Sequence, residues 1–117
     1  MQNISIILRR APYGTIDAPE AIRHALGAVT DELPVQLILV DGGVHAARKG
    51  QDTGTTGYLS AEEGIRDCLD MGVTVYVDGR SLKDAGISAS DLVDGVTVAG
   101  DGELASIMKN SGTTMIF

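Results

Sequence analysis

Ile4-Ser5-Ile6-Ile7-Leu8 and Val35-Gln36-Leu37-Ile38-Leu39-Val40 are the stretches that decide the fold. Each is a short, nearly continuous apolar run, the pattern of a strand buried on both faces, as in a parallel sheet. Between them, after a Pro12-Tyr13-Gly14 turn, Asp17-Ala18-Pro19-Glu20 has the form of a helix start. Asp17 stands as the N-cap, with Pro in the first turn and Glu three residues on. Ala18, Ile22, Ala25, Leu26 and Val29 then recur at helical spacing. That spacing leaves Glu20, Arg23 and a solvated His24 on the outer face, and the helix ends before Pro34. Strand, helix and second buried strand make one βαβ unit.

The alternation continues downstream. Ser60-Ala61-Glu62-Glu63 is a capping box for a helix running to Met71, with Gly72 placed to end it. Val73-Thr74-Val75-Tyr76-Val77 is a third strand, stopped at Asp78-Gly79. A short helix from about Ser81 to Ala85 closes at Gly86, and Ser88-Ala89-Ser90-Asp91 starts another helical turn. Val96-Thr97-Val98 is a fourth strand, Glu103 to Asn110 a helix, and Thr113 to Phe117 a last strand. Residues 44–59 are the least regular. Val44 to Arg48 suits a short helix, and the glycine- and threonine-rich run from Gly50 to Gly57 suits a mobile loop. Strands alternating with helices imply a single α/β domain over residues 1–117, with a parallel sheet, right-handed crossovers and helices on both faces.

Composition excludes several function classes. The chain has 117 residues, so one domain is expected, and a chain of this size buries roughly two-thirds of its surface. Its net charge is -7, and three tyrosines and one phenylalanine are its only aromatics. It has no basic run, so nucleic acid is not an expected partner. No apolar stretch approaches the ~20 residues of a membrane span. Met1-Gln2-Asn3-Ile4 lacks a basic n-region, so no signal peptide is expected. A single cysteine, Cys68, suits a reducing compartment. A cytoplasmic protein is the expectation.

In open α/β sheets, ligands bind beyond the carboxyl ends of the strands. Those ends carry Tyr13 and Gly14 after the first strand, and Asp41, Gly42, Gly43 and His45 after the second. Asp78, Gly79 and Arg80 follow the third, and Gly100-Asp101-Gly102 the fourth. Together they form a candidate ligand edge, with Arg48, Lys49 and Arg80 available to an anion. Glycines that turn the chain and Asp residues that cap helices account for the same pattern. Asp41, Asp78 and Asp101 suggest a divalent cation, but Arg9-Arg10 at the end of the first strand argues against it. No metal or cofactor is expected. Gly100, Gly102 and Ala105 spell a dinucleotide-like G-x-G-x-x-A, but that motif belongs to a first βαβ unit with an acidic residue ~20 positions on. His45, just past a strand end, is a candidate acid, base or donor. Cys68 falls on the apolar stripe of its helix with Ile65 and Leu69, late in the helix. That predicts a buried thiol with little thiolate character.

Ala11-Pro12-Tyr13-Gly14-Thr15 resembles the A-P-[YH]-G-[TS] segment of the DsrE/DsrF/TusC-like sulfur-relay proteins. Leu37 through Asp41-Gly42-Gly43-Val44 resembles their apolar strand ending in D-G-V, with one extra glycine, and Lys49-Gly50-Gln51 resembles the following G-Q. The run from Tyr76 to Gly86 resembles their W-V-C-A-A-S-L-R-E-R-G segment, and the likeness is nearest the DsrF/TusC branch. The resemblance implies a three-layer α/β/α fold with about five parallel strands. It also implies homotrimers, homohexamers or hetero-oligomers with a cysteine-bearing paralogue. It places the family's persulfide-carrying cysteine at Asp78, where a carboxylate cannot replace a thiolate. A non-catalytic oligomeric subunit or binding protein is therefore the leading expectation. The alternatives are a sulfurtransferase using Cys68 or a partner's cysteine, and a small-anion or nucleotide-binding module at the strand edge.

Overall fold

A computed structural model describes residues 3–56 and 59–117. Met1, Gln2, Gly57 and Tyr58 lie outside the described residues, and with them the first positions of the N-terminal segment and the end of the glycine–threonine loop. Five strands, β1 (Ile4–Leu8), β2 (Val35–Leu39), β3 (Thr74–Asp78), β4 (Thr97–Ala99) and β5 (Thr113–Ile116), form one sheet in the order β4-β3-β2-β1-β5. Every pairing is parallel, with Ile4 opposite Val35, Gln36 opposite Thr74 and Ile4 opposite Thr113.

The strand order follows from the handedness of the crossovers. The chain steps from β1 to β4 in one direction along the sheet, so right-handed connections put the intervening helices on one face. These are α1 (Asp17–Thr30), α2 (Ala61–Asp70) and α3 (Gly79–Ala85). From β4 the chain returns across the sheet to pair β5 with β1, which sends α4 (Asp101–Lys109) over the opposite face. Side-chain alternation along each strand separates the two layers. Ile6, Leu8, Leu37, Leu39, Val75 and Val77 join the larger core beneath α1–α3. Ile7 and Ile38 meet Leu104 on the α4 side.

The described segments agree with the expected alternation, and local differences have local causes. Asp17 is the first helical residue rather than the N-cap, which is Ile16. Its backbone N–H donates to Thr15 Oγ1 at 3.3 Å, and its carboxylate lies 3.3 Å from Arg10 Nε. His24 is half-buried rather than solvated, with its ring centroid 5.3 Å from that of Phe117. Residues Asp41–Ala47 form a 3-10 helix, begun earlier than expected. Val44, Ala46 and Ala47 on it are fully buried, so packing rather than periodicity holds it. Ser60 caps α2 by accepting from the Glu63 N–H at 3.3 Å, and Gly86 ends α3 at φ +71. Among the described residues no helix is long and apolar enough to cross a membrane.

Candidate functional site

β2 and β3 are neighbours, so their carboxyl ends bring Asp41 and Asp78 to the same part of the edge. Asp78 closes β3 and caps α3, with Oδ2 accepting from the Ser81 N–H at 3.2 Å and from the Ser81 hydroxyl at 2.5 Å. The same hydroxyl accepts from the Asp41 N–H at 2.8 Å. Asp41 sits at φ +50, a left-handed conformation that Asp tolerates better than most residues. That turn belongs to the backbone leading into the 3-10 helix. Asp78 is only 8% exposed, and its Oδ1 is buried without a hydrogen-bond partner among the described residues.

The glycines after β2 serve the backbone. A Cβ on Gly43 would lie 2.1 Å from the Leu8 carbonyl oxygen, and one on Gly42 3.0 Å from the Ala11 nitrogen. The chain leaving β2 presses on the chain leaving β1, and a side chain there has no room. Tyr13 takes part in a second network. Its hydroxyl donates to Gln51 Oε1 and accepts from the Ala61 N–H at 3.3 Å. Gln51 Nε2 in turn donates to the carbonyls of Ala46 at 2.9 Å and Arg48 at 2.8 Å, and the Gln51 N–H donates to Glu62 Oε1 at 2.9 Å. Arg66 bonds the same carboxylate at 2.8 Å, and these donors, Arg66 first, hold the Glu62 carboxyl below its usual range.

The expected ligand edge therefore divides. Asp41 and Asp78 are joined through Ser81. Arg80 reaches instead to Asp101 at 3.6 Å, and His45 lines a separate cleft with Arg48 and Lys49. Gly14, at φ +98, and Gly79, at the start of α3, shape turns. Asp41, Asp78 and Asp101 do not form a metal-binding group, and none of three or more His, Cys, Asp or Glu residues occurs among the described residues. Ser81 and Gln51, which organise the two networks, were not among the expected site residues. An N-cap Asp followed three positions later by Ser was the local signal for the first; Gln51 had none beyond the family-like G-Q.

Cys68 is fully buried on the inner face of α2, in the same core cluster as Ile65 and Ala61. Loss of hydration pushes its thiol up to about 12, and the neighbouring Asp67 carboxylate adds to the shift. Thiolate is the nucleophile, and burial disfavours that form here.

The model of the DsrE/DsrF-like family matches residues 2–117. The chain is 31% identical over 114 residues to an uncharacterised protein of Methanocaldococcus jannaschii, covering 97% of both. It is 37% identical over 87 residues to the intracellular sulfur oxidation protein DsrF of Allochromatium vinosum, covering 74% of this chain and 64% of that protein. The crystal structure of the ychN protein from E. coli superposes with a TM-score of 0.92 at 27% identity over the whole of both chains. Parallel sheet, flanking helices and sequence agree. The chain belongs to the DsrE/DsrF-like family.

Proposed function

We propose that this chain is a non-catalytic oligomeric subunit or binding protein of intracellular sulfur transfer, and that it does not itself carry a persulfide. One observation carries the reading: the end of β3 holds a buried carboxylate, Asp78, committed to Ser81 and to the cap of α3. A carboxylate accepts hydrogen bonds but offers no sulfur nucleophile. Cys68, the only thiol, is sealed in the core with its proton retained. The name of the Allochromatium vinosum relative supports the link to sulfur metabolism.

Assembly is part of the proposal, as a homotrimer, a homohexamer or a hetero-oligomer in which a paralogue supplies the cysteine. Ile116 on β5 is 60% exposed and Val98 on β4 45% exposed, so both edge strands present apolar surface. The cytoplasm is the proposed setting. After incubation with a cysteine persulfide donor, the intact mass should be unchanged; a one-sulfur adduct mapped to Cys68 overturns the reading. Light scattering should give an oligomer at micromolar concentration, and monomer alone removes the assembly part.

A further inference from the structure

Arg48 differs from most arginines of this chain. Arg10, Arg23, Arg66 and Arg80 lie 3.3, 2.6, 2.8 and 3.6 Å from carboxylate oxygens, whereas Arg48 has no acidic partner among the described residues. Its backbone is nevertheless held. The Arg48 N–H donates to the His45 carbonyl at 3.3 Å, and Arg48 forms an antiparallel bridge with Leu92. Bonds of 2.8 Å from the Lys49 N–H to the Asp91 carbonyl and from the Val93 N–H to the Ala47 carbonyl flank that bridge. The clip fixes where the two cationic side chains start.

Those side chains and the His45 imidazole line a cleft of about 400 Å³. The end of α3, from Ala85 to Ile87, also lines it, together with Ser90 and Asp91. We propose that this cleft binds a small oxyanion of the phosphate or sulfate type, with Arg48 and Lys49 supplying charge and His45 and Ser90 supplying hydrogen bonds. The site is distinct from the Asp41–Ser81–Asp78 network and uses no thiol.

Charge, size and lining favour this ligand class. Two permanent cations face one carboxylate in the cleft, Asp91, whose Oδ2 already accepts from the Ser88 N–H at 3.1 Å. Lys49 is 3.7 Å from Asp94, whose side chain is 95% exposed; such a pair is weak and gives way to a better-placed anion. The chain's net charge of -7 does not forbid this, because salt at physiological strength screens charges beyond about 8 Å. A guanidinium also matches two oxygens of a tetrahedral or planar oxyanion at once. The volume falls within the roughly 300–1,000 Å³ of small-molecule sites. Among the described residues no Phe, Tyr or Trp lines the cleft and His45 supplies its one ring, so a nucleotide base gains little stacking there.

The test is a titration of the ¹⁵N-labelled protein with inorganic phosphate and with sulfate, against sodium chloride at matched ionic strength. The expected result is saturable amide shifts at Arg48, Lys49, Gly86 and Ser90 with both oxyanions and none with chloride. Arg48→Gln and Lys49→Gln change exposed side chains, so both variants should keep the wild-type circular dichroism spectrum. Each should weaken binding roughly fivefold or more, the loss of one charge-assisted contact. Arg80→Gln should leave binding unchanged. Shifts that never saturate, that match chloride, that cluster away from the cleft or that survive both substitutions overturn the proposal. The persulfide experiment above does not bear on it, so the two readings fail separately.

Discussion

The phenol of Tyr13 donates to the side-chain carbonyl of Gln51, 38 positions further along the chain, and by that bond ties the loop after β1 to the segment after β2. Gln51 passes the connection on through its amide nitrogen to the Ala46 and Arg48 carbonyls. The two residues belong to family-like segments that the sequence presents separately. Their shared role is to close the irregular stretch between β2 and α2 against the body of the domain.

Gln51→Ala removes the donor to those carbonyls and the acceptor for Tyr13. Losing the part-buried bonds to the Tyr13 hydroxyl and the Ala46 carbonyl costs about 1–3 kcal/mol. Urea unfolding should show that loss, with faster amide exchange near Arg48 and Lys49. Unchanged stability and exchange would mean that water replaces the side chain without penalty.

Ser81→Ala takes a donor from Asp78 and an acceptor from the Asp41 N–H in one step. A cost of about 1–3 kcal/mol is expected because Ser81 and Asp78 are buried. Asp78→Cys should lose about 1 kcal/mol through its cap.

Two glycines should respond in opposite senses to alanine. Gly43→Ala drives a Cβ into the Leu8 carbonyl at 2.1 Å, a backbone clash that β1 cannot relieve without moving. Loss of at least about 3 kcal/mol, or failure to fold, is expected from such overpacking. Gly27, exposed inside α1 with nothing within 4 Å of an added Cβ, should gain about 0.5–1 kcal/mol. Thermal unfolding of the two variants that moved in the same direction would contradict this account.

Cys68 gives the protein an alkaline dependence. Burial raises the folded thiol to about 12 from 9.0, so above pH 9 the unfolded chain releases a proton that the folded chain keeps. Stability falls as pH rises through that window, at up to about 1.4 kcal/mol per unit, and is unaffected by this group below it. The stability advantage of wild type over Cys68→Ala should therefore shrink between pH 9 and pH 11. An advantage that holds constant would refute the shift.

Glu62 acts in the opposite range. Its folded carboxyl titrates below 4.5, so the stabilisation is present above that value and is lost as pH falls through the lowered one. Glu62→Gln should unfold about 1–4 °C lower at neutral pH, with the gap closing under acid conditions.

Strands, helices and their stops were legible because they are short-range matters. Ile4–Leu8 and Val35–Leu39 announce themselves by unbroken apolar content, Ser60 by its place before Glu62 and Glu63, and Gly86 by its freedom to take φ +71. Asp17 shows the limit of local signals. Its sequence suits an N-cap, but Ile16 takes that position, while the Asp17 carboxylate lies beside Arg10. The candidate edge was legible only as a set of strand ends. Whether residues on different ends meet depends on strand order and on where each connection goes.

By itself, then, the sequence determined an α/β alternation, the apolar faces of its elements, and a lone cysteine on the inner face of its helix. All of these depend on spacings of a few residues, where backbone geometry alone dictates what faces what. Tertiary structure decided the order β4-β3-β2-β1-β5 and the placing of α4 alone on its face. It also joined Asp78 to Asp41 through Ser81, sent Arg80 to Asp101, and set His45 beside Arg48 and Lys49. Those outcomes come from packing the layers of one sheet at once, and sequence separation carries no record of the distances that result.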